Sequence, residues 1–229
     1  MEKPQFSQFE VAKLVGSRLL IGIPILLLIL FLPAGTLEYW EAWIYLAVLL
    51  FPMSIVMIYF IKTAPEFLVR RMKFKEKEET QRRIIALAYI PFLIQFILPG
   101  IDKRLSWSNI PIVITILADI FVIAGYLFII YVFKENQFAS RIIEVDKKQK
   151  VIQTGPYKLV RHPMYLGAII MYIASPIALG SYWAIIPAVC IIPVLIARIK
   201  NEEEVLEKEL EGYLEYKLKT RYHLIPGIW

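Results

Sequence analysis

The stretch QTGPYKLVRHPMY, from Gln153 to Tyr165, concentrates residue types that can do chemistry. His162 precedes Pro163, and a residue before proline is biased towards extended backbone. Pro163 suits the first turn of a helix, where its missing N–H costs nothing. His162 is therefore predicted at a helix mouth, next to backbone N–H groups that have no partner within the helix. An imidazole, the hydroxyls of Tyr157 and Tyr165, and free donors are expected to converge there.

A second polar stretch, RIKNEEE, runs from Arg198 to Glu204. Arg198 and Glu202 are four residues apart and share one face of a helix. Carboxylates at a helix C-terminus oppose the helix dipole, so this placement favours a helix that continues further. The spacing of Leu206, Leu210, Tyr213 and Leu214 is amphipathic, which predicts either an interfacial helix or one packed over the site.

Each of these features also has a simpler structural interpretation. His162 alone is typical of a helix cap, and the three consecutive glutamates are typical of a solvated helix end. His223 is interpreted as a structural histidine, and Cys190, inside an apolar run, as a packing residue. The sequence contains no H-E-x-x-H, C-x-x-C pair, G-x-S-x-G, Walker loop or G-x-G-x-x-G, so no metal site is predicted.

The elements that must position these residues are apolar. Of the 229 residues, 58% are apolar or aromatic and the mean hydropathy is +0.58, an excess that excludes intrinsic disorder. A single cysteine excludes a disulfide scaffold. Six runs predict an all-α integral membrane protein of about six transmembrane helices: 19–37, 43–61, 84–101, 110–133, 164–179 and 182–197.

The last two runs are short and are joined by Gly180-Ser181, which predicts a tight helical hairpin. Such a hairpin returns the region of His162 and the pair Arg198 and Glu202 to the same membrane face. Chemistry, if the chain carries any, is expected at that face.

Basic residues indicate the orientation. Of 26 lysines and arginines, all but Lys103 and Arg104 fall on one side if both termini are cytoplasmic. The positive-inside pattern therefore predicts a multi-pass membrane protein with cytoplasmic termini, and it explains the net charge of +6 without nucleic acid. The charge-rich connector 63–83 is interpreted as a solvated loop near anionic lipid.

Five ordered motifs resemble the isoprenylcysteine carboxyl methyltransferase family, and related motifs occur in membrane phospholipid methyltransferases. They cover roughly residue 136 to the C-terminus and are listed here: Asn136-x-Phe138, Thr154-Gly-Pro-Tyr-x-x-Val-Arg-His-Pro-Met-Tyr-x-Gly167, Arg198-x-x-x-Glu202-Glu203, Tyr213-x-x-Tyr216 and Leu224-Ile-Pro-Gly227. The resemblance divides the chain into a four-helix membrane region, 1–133, and a methyltransferase core, 134–229, with a cytoplasmic C-terminal cofactor-binding region.

The resemblance implies an integral membrane enzyme that uses S-adenosylmethionine without a soluble Rossmann domain and without a metal. By position, the implied cofactor-binding residues are Lys150, Val151 and Ile152 in a strand-like segment, together with Tyr157, His162, Tyr165 and Glu202. Arg198 resembles the arginine that meets the acceptor's carboxylate, and it is the predicted catalytic and substrate-binding residue. Glu144 lies near a position where eukaryotic members carry glutamine.

The implied partners are membrane lipids and a lipid-like or prenylated acceptor. Because the cofactor is cationic, carboxylate and aromatic neighbours suit it, and Arg198 can pair bidentately with a carboxylate or phosphate. Two other functions stay open at this point. An NADPH-dependent sterol or polyprenol reductase shares an R-H-P-x-Y stretch, although the glutamates after Arg198 favour the methyltransferase, and a non-enzymatic membrane scaffold or sensor is the third hypothesis.

Overall fold

The computed structural model describes residues 6–73, 76, 78–146 and 148–229, and within them it contains helices and no β-strand. Four of the lysines used to predict the orientation lie outside this part of the chain: Lys3, Lys75, Lys77 and Lys147. The helices are listed in chain order: α1 Gln8–Ala34, α2 Trp40–Thr63, α3 Pro65–Arg71, α4 Glu79–Leu105, α5 Ile112–Glu135, α6 Pro163–Ala178, α7 Ile185–Glu209 and α8 Tyr213–Lys219. A short 3-10 turn occupies Gly155–Lys158.

Four helices, α1, α2, α4 and α5, are long and apolar enough to cross a membrane. They cover most of the first four predicted runs and indicate a membrane protein. The fifth run forms α6, which is apolar but has only 16 residues. The sixth run forms the first half of α7, whose second half is charged. Six full spans are therefore a prediction, and four have the required length and composition.

The predicted hairpin is present between α6 and α7. Pro163 occupies the first turn of α6, and Gly180 follows the helix with a φ of 78°, a left-handed conformation that suits glycine. The turn is held by Asp102 of α4, whose buried carboxylate accepts hydrogen bonds from the hydroxyls of Ser108 and Ser181. Loops 35–39, 106–111 and 180–184 thus meet at one end of the bundle, and the start of α6 lies at the other.

Helices α5 and α6 cross at two glycines. A Cβ atom added at Gly167 would lie 2.7 Å from Cγ1 of Ile129 and 3.1 Å from the carbonyl oxygen of Gly125. A Cβ atom at Gly125 would lie 2.9 Å from the carbonyl oxygen of Gly167. Small residues at such crossings let two membrane helices approach closely, and this contact fixes the start of α6 against α5.

The last helices depart from the predicted runs. α7 continues past Ala197 to Glu209, as the glutamates after Arg198 indicate, and the chain then turns at Gly212, which has a φ of 81°. Helix α8 follows at once, with Tyr213 and Tyr216 buried. The end of α7 and α8 together fold back over the start of α6.

Candidate functional site

The two polar stretches meet at one cavity at the end of the bundle where α6 begins. The space between its walls is about 800 Å³, with the open solvent at its mouth included. Five parts of the chain surround it: loop residues 136–144 and 149–152, the segment before α6 with Tyr157, Arg161 and His162, the start of α6, the end of α7, and α8. The hairpin between α6 and α7 makes this possible, because it brings segments about forty residues apart to the same end.

All seven predicted cofactor-binding residues line this cavity: Lys150, Val151, Ile152, Tyr157, His162, Tyr165 and Glu202. Their roles stay predictions, while their convergence is a structural fact. Residues 150–152 run along the cavity and belong to no helix or β-strand; their strand-like role beside the cofactor stays a prediction. Glu144, the position that departs from the eukaryotic pattern, also lines the cavity and pairs with Lys73.

Tyr165 connects the start of α6 to the end of α7. Its hydroxyl donates to Oε2 of Glu202 at 2.6 Å and accepts from Nε of Arg198 at 2.9 Å. Arg198 also donates to the side-chain oxygen of Gln81 at 3.2 Å and to the carbonyl of Arg141 at 2.8 Å. Arg198 is not among the residues that line the cavity. The structure therefore places Arg198 beside the cavity, connected to Glu202 through the hydroxyl of Tyr165.

The carboxylate of Glu203 lies at the centre of a buried network. Glu203 belongs to one of the sequence motifs, but the sequence predicts no role for it. Its Oε1 accepts from Nε of Arg161 at 2.5 Å and lies 3.0 Å from Nε2 of His162, while Oε2 lies 3.1 Å from Nε2 of His223. Its residue exposure is 5%. Burial alone raises the pKa of Glu203, but hydrogen bonds and positive charge from His162 and Arg161 outweigh it, so the pKa lies well below its ordinary value.

The C-terminal segment fixes the backbone of the predicted histidine. The N–H of Arg161 donates to the carbonyl of Tyr222 at 2.9 Å, and the N–H of His162 donates to that of His223 at 2.9 Å. The ring of His223 stacks on Trp229 with centroids 4.3 Å apart. His223, interpreted from sequence as structural, thus holds both Glu203 and the chain end.

Tyr157 is held from two sides at the back of the cavity. Its hydroxyl accepts from the side-chain amide of Asn136 at 3.0 Å, and its carbonyl accepts from the hydroxyl of Tyr216 at 2.8 Å. Burial raises the pKa of Tyr157 to about 12, so the hydroxyl stays protonated at neutral pH. Asn136 and Tyr216 belong to two different sequence motifs, and both form a hydrogen bond with Tyr157. Their shared contact explains why these motifs occur together with Tyr157.

The connector between α2 and α4 contradicts its interpretation as a solvated loop. It contains α3, in which Phe67 and Leu68 are buried, and its charged side chains reach the loop that lines the cavity. Arg71, for example, donates to the carbonyl of Ser140 at 2.8 Å. Hydrogen bonds to backbone carbonyls leave no pattern in the sequence, which is why composition alone suggested a solvated segment.

The fold and the site combine four helices that are long and apolar enough to cross a membrane with a cavity at one end of the bundle, lined by both polar and apolar side chains. The sequence model of the phospholipid methyltransferase family matches residues 113–211, which is somewhat under half of the chain and contains α5 to α7. That family includes the isoprenylcysteine carboxyl methyltransferases, so the resemblance seen in the sequence is confirmed. No curated protein matches the chain. The match and the apolar helices indicate a membrane methyltransferase.

Proposed function

We propose that this protein is an S-adenosylmethionine-dependent membrane methyltransferase that acts on an amphiphilic acceptor, such as the carboxylate of a prenylcysteine-like or isoprenoid lipid. The observation that carries the proposal is the convergence of seven residues, chosen from their sequence positions, on one cavity. The family match supports methyl transfer, and the apolar helices support a substrate that resides in the membrane.

The residues around the cavity suit a cationic cofactor. Glu202 is only half-buried and lines the cavity, where its carboxylate can accept from an ammonium or ribose hydroxyl. Tyr157 and Tyr165 offer aromatic faces to a positive charge. No carboxylate other than Glu144 and Glu202 lines the cavity among the described residues, and one of them, Glu144, is paired with Lys73. Glu202 is therefore the natural counter-charge.

When bound, S-adenosylmethionine supplies a methyl group already activated on a sulfonium. A carboxylate acceptor needs no general base, so the protein's contribution is positioning and exclusion of water. Glu203 holds the imidazole of His162 at 3.0 Å, which fixes one side of the cavity. Tyr165 holds Glu202 at 2.6 Å, which fixes the other. Both bonds join the start of α6 to the end of α7.

Arg198 is proposed to meet the anionic group of the acceptor. Three of its N–H groups are used by Tyr165, Gln81 and the carbonyl of Arg141. These bonds immobilise the guanidinium beside Tyr165 and leave donors for a carboxylate. An arginine at the edge of the membrane is energetically costly, so its presence there favours a functional role.

Binding of S-adenosylmethionine to detergent-purified protein tests the proposal. Saturable binding that weakens in Glu202→Gln and His162→Ala is expected. Glu204→Gln is the matched control, because Glu204 lies on the same helix but is exposed. Absence of saturable binding, or equal binding in all four proteins, would contradict the proposal. Transfer of a radiolabelled methyl group into membrane lipids and prenylcysteine analogues, with product identification, then distinguishes the acceptors.

A further inference from the structure

The described part of the connector between α2 and α4, residues 64–73, 76 and 78, holds one side of the cavity, although none of these residues lines it. The side that it holds is the loop 136–144, called here the cavity wall. Seven of these nine residues line the cavity: Asn136, Phe138, Ala139, Ser140, Ile142, Ile143 and Glu144. The wall is neither helix nor strand, so its shape depends on what it is attached to.

Two adjacent arginines of α3 bind the carbonyl groups of the wall. Nη2 of Arg70 donates to the carbonyl of Gln137 at 3.0 Å, and Nη1 of Arg71 donates to that of Ser140 at 2.8 Å. The hydroxyl of Ser140 donates back to the carbonyl of Arg70 at 3.4 Å. Because hydrogen bonds from charged donors are stronger than neutral ones, these bonds fix the first half of the wall.

Acidic and basic side chains beyond α3 bind the second half. Glu76 is only 5% exposed, and both of its carboxylate oxygens lie 3.2 Å from the N–H of Ile143. Lys73 pairs with Glu144. A buried carboxylate is expensive unless it is bound, and these bonds from Glu76 hold the backbone of the wall at Ile143.

The connector itself is anchored to the helical bundle. The ring of Phe67 packs between Phe60 of α2 and Phe133 of α5, with centroid distances of 4.7 and 5.1 Å. The guanidinium carbon of Arg71 lies 4.7 Å from the centroid of Phe133, within reach of a cation–π interaction. Arg71 therefore joins a rigid part of the bundle to a wall that has no regular structure.

We propose that Arg71 and Glu76 are positioning residues of the ligand site, and that the connector holds the cavity wall in the shape that binds S-adenosylmethionine. The inference rests on the proposed function for the identity of the ligand. Arg70 and Lys73 take part in the same contact surface. Neither Arg71 nor Glu76 lines the cavity, so their effect on its shape passes through Ser140 and Ile143. The charge of Arg71 also acts on Tyr165 and Glu202.

Hydrogen exchange and cofactor binding, measured on the full-length protein in detergent, test the proposal together. In Arg71→Ala we expect faster amide exchange in residues 137–144 and about tenfold weaker binding of S-adenosylmethionine. Maximal turnover at saturating cofactor is expected to change less than twofold. Arg71→Lys keeps the charge and the reach towards Ser140, and it is expected to recover part of the affinity.

Arg83→Ala is the matched control. It removes the same positive charge at the same end of the bundle, but Arg83 contacts Glu79 of its own helix in an exposed pair. It is expected to leave both exchange and affinity unchanged. Glu76→Gln, which keeps an acceptor for Ile143, is expected to weaken binding less than Glu76→Ala.

The outcomes separate the two proposals. Unchanged exchange in 137–144 in Arg71→Ala overturns the positioning role, and so does faster exchange with unchanged cofactor affinity. A general loss of exchange protection in every helix would show that Arg71 supports the fold as a whole and would also overturn it. If the wild-type protein binds no S-adenosylmethionine, the proposed function fails, and the exchange data alone then decide whether the connector holds the wall.

Discussion

The hydroxyl of Tyr165 and the carboxylate of Glu202 lie 2.6 Å apart, although 37 residues separate them in the chain. Tyr165 belongs to the first turn of α6 and Glu202 to the last third of α7. Their contact exists because the turn at Gly180 folds the two helices side by side. Since both residues line the cavity, this hydrogen bond ties the architecture of the hairpin to the chemistry of the site.

Neighbouring glutamates are expected to have opposite roles. Glu203 is buried among Arg161, His162 and His223, whereas Glu202 is half-buried at the cavity. Glu203→Ala leaves a buried guanidinium without its partner, so we expect a loss of about 3–5 kcal/mol in the free energy of unfolding. Glu202→Ala is expected to weaken cofactor binding and to change the free energy of unfolding only slightly. Chemical denaturation in detergent, read beside cofactor binding, checks both; a Glu203→Ala protein as stable as wild type would contradict the assignment.

The low pKa of Glu203 predicts acid sensitivity. The unfolded chain takes up a proton near the ordinary value of 4.5, whereas the folded chain does so only at much lower pH. Protons therefore favour the unfolded state, so the stabilisation is complete above about pH 5 and is lost progressively as the pH falls below 4.5. The free energy of unfolding, measured between about pH 6 and pH 3, should fall more steeply in the wild type than in Glu203→Gln. Parallel curves would show that another group causes the acid response.

Much of the site could be predicted because it depends on local signals. The proline after His162 marks the start of α6, and the glycine after Leu179 marks its end. With both ends of a short hairpin known, the presence of His162 and Glu202 at one cavity follows from topology. The same reasoning could not find the role of Glu203, because Glu202, Glu203 and Glu204 look alike in sequence and differ only in which face of α7 they occupy.

The apolar runs are shorter than α1 and α7 for a physical reason, and only the glutamates after Arg198 indicate that α7 continues. α1 begins at Gln8, well before the apolar run at Leu19, since Ser7 and Glu10 form a capping box. α7 continues through charged residues to Glu209 because one face, including Ile199 and Glu203, is buried against the site. Apolar runs report contact with lipid, whereas helix ends depend on capping and packing. The role of the connector was missed because its bonds go to backbone atoms some seventy residues away.

Arg198 is expected to affect turnover more than cofactor affinity. It does not line the cavity, so Arg198→Ala removes the proposed anion contact and one hydrogen bond to Tyr165, while Tyr165 keeps its bond to Glu202. A reduction of kcat of about 100-fold is expected from misplacement of the acceptor, with a much smaller change in the dissociation constant of S-adenosylmethionine. Steady-state kinetics and equilibrium binding check this. Equal losses in both quantities would show that Arg198 acts on the cofactor.

The crossing of α5 and α6 at Gly167 is expected to tolerate no larger residue. A Cβ atom there would lie 2.7 Å from Ile129 and 3.1 Å from the carbonyl of Gly125. Gly167→Ala should therefore push the start of α6 away from α5 and lower the free energy of unfolding by about 1–3 kcal/mol. Because Tyr165 lies half a turn from this contact, cofactor affinity should fall with it.

Gly22→Ala in α1 is the control for that substitution, since a Cβ atom at Gly22 meets nothing within 4 Å. Alanine has the higher helix propensity, so Gly22→Ala is expected to leave stability unchanged or slightly raised. Thermal unfolding in detergent and binding of S-adenosylmethionine, measured on both variants, compare the two positions directly. If Gly167→Ala were as stable as Gly22→Ala and bound S-adenosylmethionine equally well, the close approach of α5 and α6 would not be what holds Tyr165 at the cavity.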